Sequence, residues 1–340
     1  MNQDTSQDVF IEEVRRLRAA YMKKRDATNL VPPTGRLAVE VDVDVVDDIV
    51  YHTYWYECSS DTTSSSQEEY QYQVVRLADI PGTLSGDILR LEQNIPTLDA
   101  GVDYEIVGDD IHRLTNPPPL PDLEDDSEDI SAALASLPEI IINPDKHFVE
   151  RSKYATEIQD LLACLGGSCP GTPKSTHVIQ LLGKSPSGEL VFEKYTPRYV
   201  LSALHPLSAY RTWILQLIDG LRCLHSLDII HRDLRIDNLV FSRDNSRLII
   251  CDLESRWGNR LAPEISRRPI LDAGWTEKSD VYDLGITIKG MVYGNVPITY
   301  LVEWNVPPPL GAIVESCTHT RPEDRPNLDE IYAMAESIEI

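Results

Sequence analysis

The chain has 340 residues, of which 42% are apolar and 25% charged, which is typical of a folded globular protein of one large or two ordinary domains. Its formal net charge of −24 disfavours binding to nucleic acid or to anionic membranes, because both need a surplus of Lys and Arg at the contact surface. The chain does not begin with a basic segment and an apolar run, and no stretch reaches the roughly 18 apolar residues that cross a bilayer, so we expect a soluble cytoplasmic or nuclear protein that is not secreted.

Six cysteines are scattered along the sequence, which does not fit a disulfide framework. Cys164 and Cys169 are close enough to form half of a metal site, but no second Cys/His pair lies nearby. We therefore expect free thiols in a reducing compartment.

The acidic excess lies in the first part of the chain. Residues 1–195 carry 35 acidic and 16 basic side chains, whereas residues 196–340 carry 20 and 15. The densest acidic run, residues 122–129, follows the proline-rich run 116–121. Prolines remove backbone donors and clustered carboxylates repel one another, so residues 115–131 are predicted to form an extended, solvated linker. An acidic docking tail is the functional alternative.

Residues 1–114, before this linker, predict an accessory module. Apolar side chains recur at helical spacing over residues 8–25, which indicates an amphipathic helix. Residues 37–58 and 70–77 are rich in Val, Tyr and Thr, which predicts two strands joined by a Ser/Thr-rich loop at 59–67. Because no catalytic constellation is found here, the module is a candidate surface for a protein partner.

The next part of the chain predicts alternating helices and strands. Apolar spacing indicates a helix at 153–165, and two strand-like runs follow at 178–182 and 189–195. A long amphipathic helix comes next, with Ser208 as its predicted N-cap. Its apolar face is predicted to consist of Tyr210, Trp213, Ile214, Leu217, Leu221 and Leu224.

A polar loop between two apolar runs carries the side chains that suggest chemistry. Asp233, Arg235 and Asn238 lie in this loop, and the short strand that follows ends at Asp252. Strand ends place side chains at the mouth of a cleft, so Asp233, Asn238 and Asp252 are expected to converge. A carboxylate orients a hydroxyl and accepts its proton, and Asn and Asp oxygens are hard ligands suited to Mg²⁺. Arg235 would add a cation beside a transferring phosphoryl group.

The octapeptide HRDLRIDN at 231–238 resembles the catalytic loop of the eukaryotic protein kinase superfamily. Four further motifs follow in the family's order, namely Asp252-Leu253-Glu254 in place of Asp-Phe-Gly, Ala262-Pro263-Glu264, Ser279–Gly285 and Arg321–Pro326. Five ordered motifs over 230–330 make the resemblance specific. It implies an α+β, protein-kinase-like bilobal fold, with a small β-rich N-lobe and a mainly α-helical C-lobe, and the cofactors ATP and Mg²⁺.

The resemblance implies a role for each matching residue. Asp233 would orient and deprotonate the acceptor hydroxyl, and Arg235 would contact the γ-phosphate in place of a Lys. The Mg²⁺ ligands would be Asn238 and Asp252. The hinge that meets adenine through backbone groups would include Glu193 and Tyr195.

Structural roles are implied as well. Asp280 would brace the backbone of the catalytic loop, and Glu264 would pair with Arg325. His231 and Leu253 would lie in the core behind the site.

The part that holds the nucleotide phosphates departs from the family pattern. Residues 102–150 contain a single glycine, Gly108, so a glycine-rich clamp of backbone N–H groups is missing or built differently. Glu157 lies in a helix suited to pair with the ATP-contacting Lys, but Glu150 stands where the family places that Lys. The candidates for the missing cation are Lys146, Arg151 and Lys153, of which Lys153 is taken as the cofactor-binding residue. For any one of them, an ordinary surface charge is the more common role.

The segment from Asp252 to Glu264 is a further departure. It has only 13 residues, and Ser255 is its only hydroxyl, so phosphorylation of an ordered loop has little to act on. Glu254 replaces the family's glycine and adds a carboxylate beside the expected metal ligand.

The predicted organisation is an accessory region (1–114), a linker (115–131), a degenerate kinase-like N-lobe (132–194) and a kinase-like C-lobe (195–340). The leading functional hypothesis is an ATP- and Mg²⁺-dependent phosphotransferase, favouring Ser/Thr of a protein as acceptor, with a small-molecule hydroxyl as another. The alternative is a pseudokinase, a binding or scaffolding module without phosphoryl transfer. A third hypothesis is another use of the nucleotide, such as adenylylation.

Overall fold

The structure is a computed structural model that describes residues 6–33, 35–47, 49–58, 71–91, 94–121, 126–253, 258–259, 261–265, 273–294 and 303–340. The chain divides into a larger compact unit (1–17, 126–295 and 304–340) and a smaller one (18–125 and 296–303). Helices and strands are mixed throughout, which is compatible with the predicted fold class. Among the described residues, no helix is both long and apolar enough to cross a membrane. The first helix, α1 (Ser6–Asp26), confirms the helix predicted at 8–25.

The smaller unit is built on a five-stranded sheet. Its strands, in spatial order, are β1 (Arg36–Val46), β2 (Ile49–Cys58), β3 (Gln71–Ala78), β4 (Tyr104–Val107) and β5 (Asp110–Arg113). Neighbouring strands are antiparallel except β3 and β4, which are parallel and are connected through α2 (Leu84–Arg90). The core of this unit consists of Tyr54, Tyr56, Val75, Leu77, Ile88, Leu89, Ile95 and Ile106.

The run 37–58, predicted as one strand, is a hairpin of two. Asp47 lies between β1 and β2 with a φ of 49°, a left-handed conformation that Asp tolerates in turns. The alternation of Val with acidic residues continues up to this turn, so the pattern alone does not mark the break. The strand predicted at 70–77 is confirmed as β3. The loop predicted at 59–67 lies outside the described residues.

The proline-rich segment after β5 contacts the sheet of the smaller unit. The indole Nε1 of Trp55 donates a hydrogen bond to the carbonyl oxygen of Pro118 at 3.3 Å, and Trp55 is buried. Part of the predicted linker is therefore held by a side chain of β2 rather than surrounded by water alone.

The larger unit contains a three-stranded antiparallel sheet. Its strands are β6 (His147–Glu150), β7 (Leu181–Lys184) and β8 (Leu190–Glu193), in the order β6-β8-β7. Helix α3 (Ser131–Ala135) precedes β6, and α4 (Ala155–Cys164) lies between β6 and β7 and confirms the helix predicted at 153–165. The strand predicted at 178–182 is shifted towards β7, because Val178 instead forms an isolated bridge with Ile250.

The described part of the larger unit also contains four helices that follow β8, and a hairpin. The helices are α5 (Leu207–His225), α6 (Glu277–Tyr293), α7 (Leu310–Cys317) and α8 (Leu328–Glu336), and the hairpin pairs β9 (Leu239–Phe241) with β10 (Leu248–Ile250). The predicted apolar face of α5 is buried along its whole length. The predicted N-cap at Ser208 is wrong, because Pro206 has extended backbone geometry and the helix begins directly after it.

Candidate active site

The hairpin β9–β10 brings the loop at 231–238 next to Asp252. Leu239 pairs with Ile250, and the backbone N–H of Cys251 donates to the carbonyl oxygen of Asn238 at 3.0 Å. Asn238 ends a short 3₁₀ turn, Ile236–Asn238, just before β9, and Asp252 follows β10. Two polar side chains that are 14 positions apart in the sequence therefore lie at the same end of one hairpin.

Asn238 holds Asp233 in place. Its amide nitrogen donates to the carbonyl oxygen of Asp233 at 2.8 Å and to the carboxylate Oδ2 at 2.9 Å. Burial raises the pKa of Asp233, and the charge of Arg235 opposes this rise. Since the nitrogen of the Asn238 amide is engaged by Asp233, the amide oxygen is the atom that Asn238 offers to a cation.

The backbone of this loop is braced from α6, as predicted. The carboxylate of Asp280, which is fully buried, accepts the backbone N–H groups of His231 and Arg232, both at 2.9 Å. His231 and Leu253 are buried, which confirms their predicted place in the core. Hydrogen bonds to a carboxylate are stronger than neutral ones, so this brace fixes the loop.

A second brace joins the end of the short segment to the region before α8. Both guanidinium Nη atoms of Arg325 bond the two carboxylate oxygens of Glu264, at 2.6 and 2.7 Å. The side chain of Arg325 is 0% exposed, and it also donates to the carbonyl oxygens of His319, Thr320 and Lys278. The predicted Glu264–Arg325 pair is confirmed.

A cavity of about 410 Å³ lies beside this loop, entirely within the larger unit. Its apolar lining is Phe148, Leu161, Ile179, Phe192, Pro197, Val240 and Leu253. Its remaining lining residues are Glu150, Glu157, Glu193, Lys194, Tyr195, Asp237, Asn238, Cys251 and Asp252. Apolar side chains with a few polar groups are typical of a small-molecule site.

The charges along this cavity are mostly negative. Among the described residues, five carboxylates line it and Lys194 is the only lining cation. The ammonium group of Lys194 donates to the carbonyl oxygen of Pro144 at 2.8 Å. Loss of water around Glu150 raises its pKa, and the nearby charge of Asp252 raises it further. Glu150, which stands in the sequence where the family resemblance calls for a Lys, thus adds to the negative lining of the cavity.

Most of the predicted site residues meet at this cavity. Glu157 is buried on α4, and its carboxylate accepts the hydroxyl of Ser152 at 2.5 Å. Glu193 and Tyr195 both line the cavity, and the Tyr195 hydroxyl donates to Glu193 Oε2 at 2.8 Å. Burial, followed by the bond to Glu193, raises the pKa of Tyr195 to about 12. Asp233 is connected to the lining through Asn238.

Lys153 and Arg235 are placed differently. The side chain of Lys153 is exposed and does not line the cavity. Arg235 bonds Asp237 through its Nε at 2.9 Å and its Nη2 at 2.6 Å. Asp237 is a lining residue that the sequence reasoning missed, although its position beside Asn238 on the 3₁₀ turn was the available signal. Glu254, Ser255 and the following residues to 257 lie outside the described part of the chain.

The cavity offers some, but not all, of the ligands that a divalent cation needs. Asn238 and Asp252 supply the hard oxygen ligands that Mg²⁺ prefers. Within the described ranges, no three His, Cys, Asp or Glu side chains are grouped closely enough to hold a metal ion by themselves. A Mg²⁺ ion here would therefore take its remaining ligands from water and from phosphate oxygens.

Comparison with known proteins identifies several protein kinases as relatives. Mitogen-activated protein kinase kinase kinase 7 of Homo sapiens is 26% identical over 170 residues, covering 39% of this chain and 27% of that protein. A putative mitogen-activated protein kinase kinase kinase 7-like protein of Drosophila melanogaster is 28% identical over 156 residues, covering 35% of this chain and 39% of that protein.

A probable serine/threonine-protein kinase of Dictyostelium discoideum is 28% identical over 151 residues, covering 34% of this chain and 19% of that protein. The matches thus cover less than half of each of these relatives. No protein-family model matches the chain. The similarities support a relationship to the protein kinase family.

Proposed function

We propose that this protein is a Mg²⁺-dependent phosphotransferase that transfers the γ-phosphate of ATP to a hydroxyl group. The observation that carries the proposal is the arrangement of Asp233, Asn238 and Asp252 beside one cavity, with Asp233 held by Asn238. In its bilobal arrangement, the sheet β6-β8-β7 and α4 form the small lobe, and the helices from α5 onward form the large one. The protein acts in the cytoplasm or nucleus.

The chain's own residues would divide the work as follows. Asp233 orients the acceptor hydroxyl and takes its proton, because a positioned carboxylate is the general base in this chemistry. Asn238 and Asp252 would hold Mg²⁺, and Arg235, which bonds Asp237 in this structure, would contact the γ-phosphate. ATP supplies the transferable phosphoryl group, and Mg²⁺ neutralises its charge.

The apolar lining of the cavity suits the adenine ring of ATP, whereas the negative charges of its polar lining do not suit the phosphates. Ile179, Phe192 and Val240 supply an apolar surface next to Glu193 and Tyr195, the proposed adenine contacts. In contrast, Glu150 would face the phosphates with a charge of the same sign. We therefore infer that the nucleotide enters only as its Mg²⁺ complex.

A protein hydroxyl is the acceptor class that the names of the relatives support, since these are protein kinases and one is a probable serine/threonine-protein kinase. A small-molecule hydroxyl is the other acceptor class. A screen of peptides and small alcohols with the same labelled nucleotide separates the two.

Glu150 supports a second candidate function, that of a pseudokinase. A carboxylate at the position of the phosphate-contacting Lys would weaken nucleotide binding, and the fold would then serve as a binding or scaffolding module. The pseudokinase and the phosphotransferase would have the same fold, but the pseudokinase would transfer no phosphate.

The deciding experiment measures binding and transfer separately. A thermal-shift titration with ATP should raise the melting temperature with Mg²⁺ present and leave it unchanged with EDTA, because only a ligand that binds the native state stabilises it. Incubation with ATP labelled at the γ-phosphate should then label an acceptor protein, whereas label at the α-phosphate should not be transferred.

Each result excludes one of the functions. Stabilisation without transfer to any acceptor supports the pseudokinase, and no stabilisation under either condition rejects nucleotide-dependent chemistry. Transfer of the α-label would instead indicate adenylylation.

A further inference from the structure

The cavity described above carries more negative charge than the proposed transfer of phosphate uses. Five carboxylates line it, and the one lining cation among the described residues, Lys194, donates to the carbonyl oxygen of Pro144. One of the five carboxylates, Asp237, is compensated by Arg198 and Arg235, which bond it at 2.5 and 2.6 Å and do not line the cavity themselves. The lining as a whole therefore keeps a surplus of negative charge.

Glu150 and Asp252 contribute to this surplus without a counter-charge. In the part of the chain that the structure describes, neither carboxylate takes part in an ion pair or a side-chain hydrogen bond. Burial raises the pKa of Glu150 and the charge of Asp252 raises it further, so the two carboxylates lie within electrostatic range of each other. Their like charges repel, and a cation between them would attract both.

The rest of the lining favours an organic cation over a bare metal ion. Seven of the lining residues are apolar, and Phe148 and Phe192 are among them. Over the described ranges, no three His, Cys, Asp or Glu side chains are grouped closely enough to hold a metal ion. A Mg²⁺ ion without a nucleotide would therefore have to keep most of its water. An apolar group, in contrast, gains free energy by leaving water for this surface.

We propose that this cavity binds a small organic amine when no nucleotide is present. The protonated nitrogen lies between Glu150 and Asp252 and donates hydrogen bonds to both carboxylates, and the apolar part packs against Phe148, Phe192 and Val240. The volume of about 410 Å³ suits a free small molecule, since such sites span roughly 300 to 1,000 Å³. This ligand goes beyond the proposed function, because its binding requires neither ATP nor transfer of phosphate.

The test is a calorimetric titration of the full chain in buffer without Mg²⁺ or nucleotide. Phenethylamine, which is a cation with an aromatic ring, should bind saturably at one site. Phenethyl alcohol, its neutral analogue, should bind at least about tenfold more weakly, because it loses the attraction of two carboxylates. Phenylacetate, its anionic analogue, should not bind measurably.

Butylamine separates a free amine from the lysine of a docked protein. It keeps the charge and the reach of a Lys side chain but lacks the ring, so it buries less apolar surface. We expect it to bind at least about fivefold more weakly than phenethylamine. Equal binding would mean that the apolar lining makes no contact, and a docked lysine would then replace the proposed ligand.

Glu150→Gln provides the matched test of the charge, because it keeps the size of the side chain and removes one negative charge. Phenethylamine binding should weaken about fivefold. Glu139→Gln makes the same change outside the cavity and should bind as the unmodified chain does.

Because the titration contains no nucleotide, its outcome is independent of whether the chain transfers phosphate. The proposal is overturned if phenethylamine does not bind saturably, if phenethyl alcohol or butylamine binds as tightly, or if Glu150→Gln binds unchanged.

Discussion

The loop at 231–238 and strand β6 border the same cavity, but only the loop is held by buried polar contacts. Asp280 is fully buried and bonds the loop backbone. On β6, Phe148 is 53% exposed although it lines the cavity. Asp233 and Asn238 are thus held in place, whereas the side proposed to hold the phosphates is open and negative. The two sides of the cavity therefore differ in how firmly the structure holds the residues proposed for each task.

The largest effect is expected from Asp233→Asn, which tests the well-ordered side. A positioned general base contributes about 10² to 10⁴ in rate, so transfer of the γ-phosphate should fall by about 10³. Stability should be unchanged or slightly higher, since burial already raises the pKa of Asp233 and so disfavours its charge. Initial rates with labelled ATP and a denaturant titration measure both. Equal transfer by the variant would remove Asp233 from the reaction.

Arg325→Met should come next, because it breaks the brace from Glu264. Removing one partner of a buried ion pair costs about 3 to 5 kcal/mol, which chemical denaturation would measure as a loss in free energy of unfolding. Arg321→Met is the matched control, since that side chain is 68% exposed and its loss should change stability by less than about 0.5 kcal/mol. Equal stability of the two variants would contradict a stabilising role for the Glu264–Arg325 pair.

Glu150→Lys tests the open side and should act in the opposite direction. Unit charges 4 Å apart in water interact by about 1 kcal/mol, so replacing repulsion by attraction should tighten ATP binding at least about fivefold. The requirement for Mg²⁺ should weaken at the same time. Isothermal titration with and without EDTA measures both effects, and Glu139→Lys, which makes the same charge change outside the cavity, should leave them unaltered. Unchanged affinity in Glu150→Lys would place the phosphates away from β6.

The two sides also differ in how far the sequence predicts them. Asp233 and Asn238 are five residues apart on one loop and turn, so their contact is local and follows from the motif. The Asp280 and Glu264–Arg325 contacts are long-range, but the order of the family motifs predicts them correctly. The geometry of β6 depends instead on its pairing with β8, in which Glu150 is opposite Leu190.

Strand alternation then explains why a nearby cation does not replace the missing Lys. Successive side chains of a strand point to opposite faces, so Phe148 and Glu150 share the face that lines the cavity. Val149, between them, lies on the other face, and Arg151 and Lys153 follow the end of the strand. Closeness in sequence to Glu150 therefore does not predict which cation lines the cavity. The face of the strand and the position of its end decide which side chain reaches it.

The smallest effect is expected from Lys153→Ala, which separates these two criteria. If proximity in sequence to β6 were enough, removing this cation would cost about tenfold in ATP affinity, as loss of a charged contact does. Because Lys153 is exposed and does not line the cavity, we expect a change of less than about twofold, the scale of a screened surface charge. Titration of Mg²⁺–ATP into the variant and into Glu150→Lys/Lys153→Ala distinguishes the cases. A tenfold loss in the single variant would mean that Lys153 reaches the phosphates when nucleotide is bound. Nucleotide binding would then bring the missing cation to the open side of the cavity.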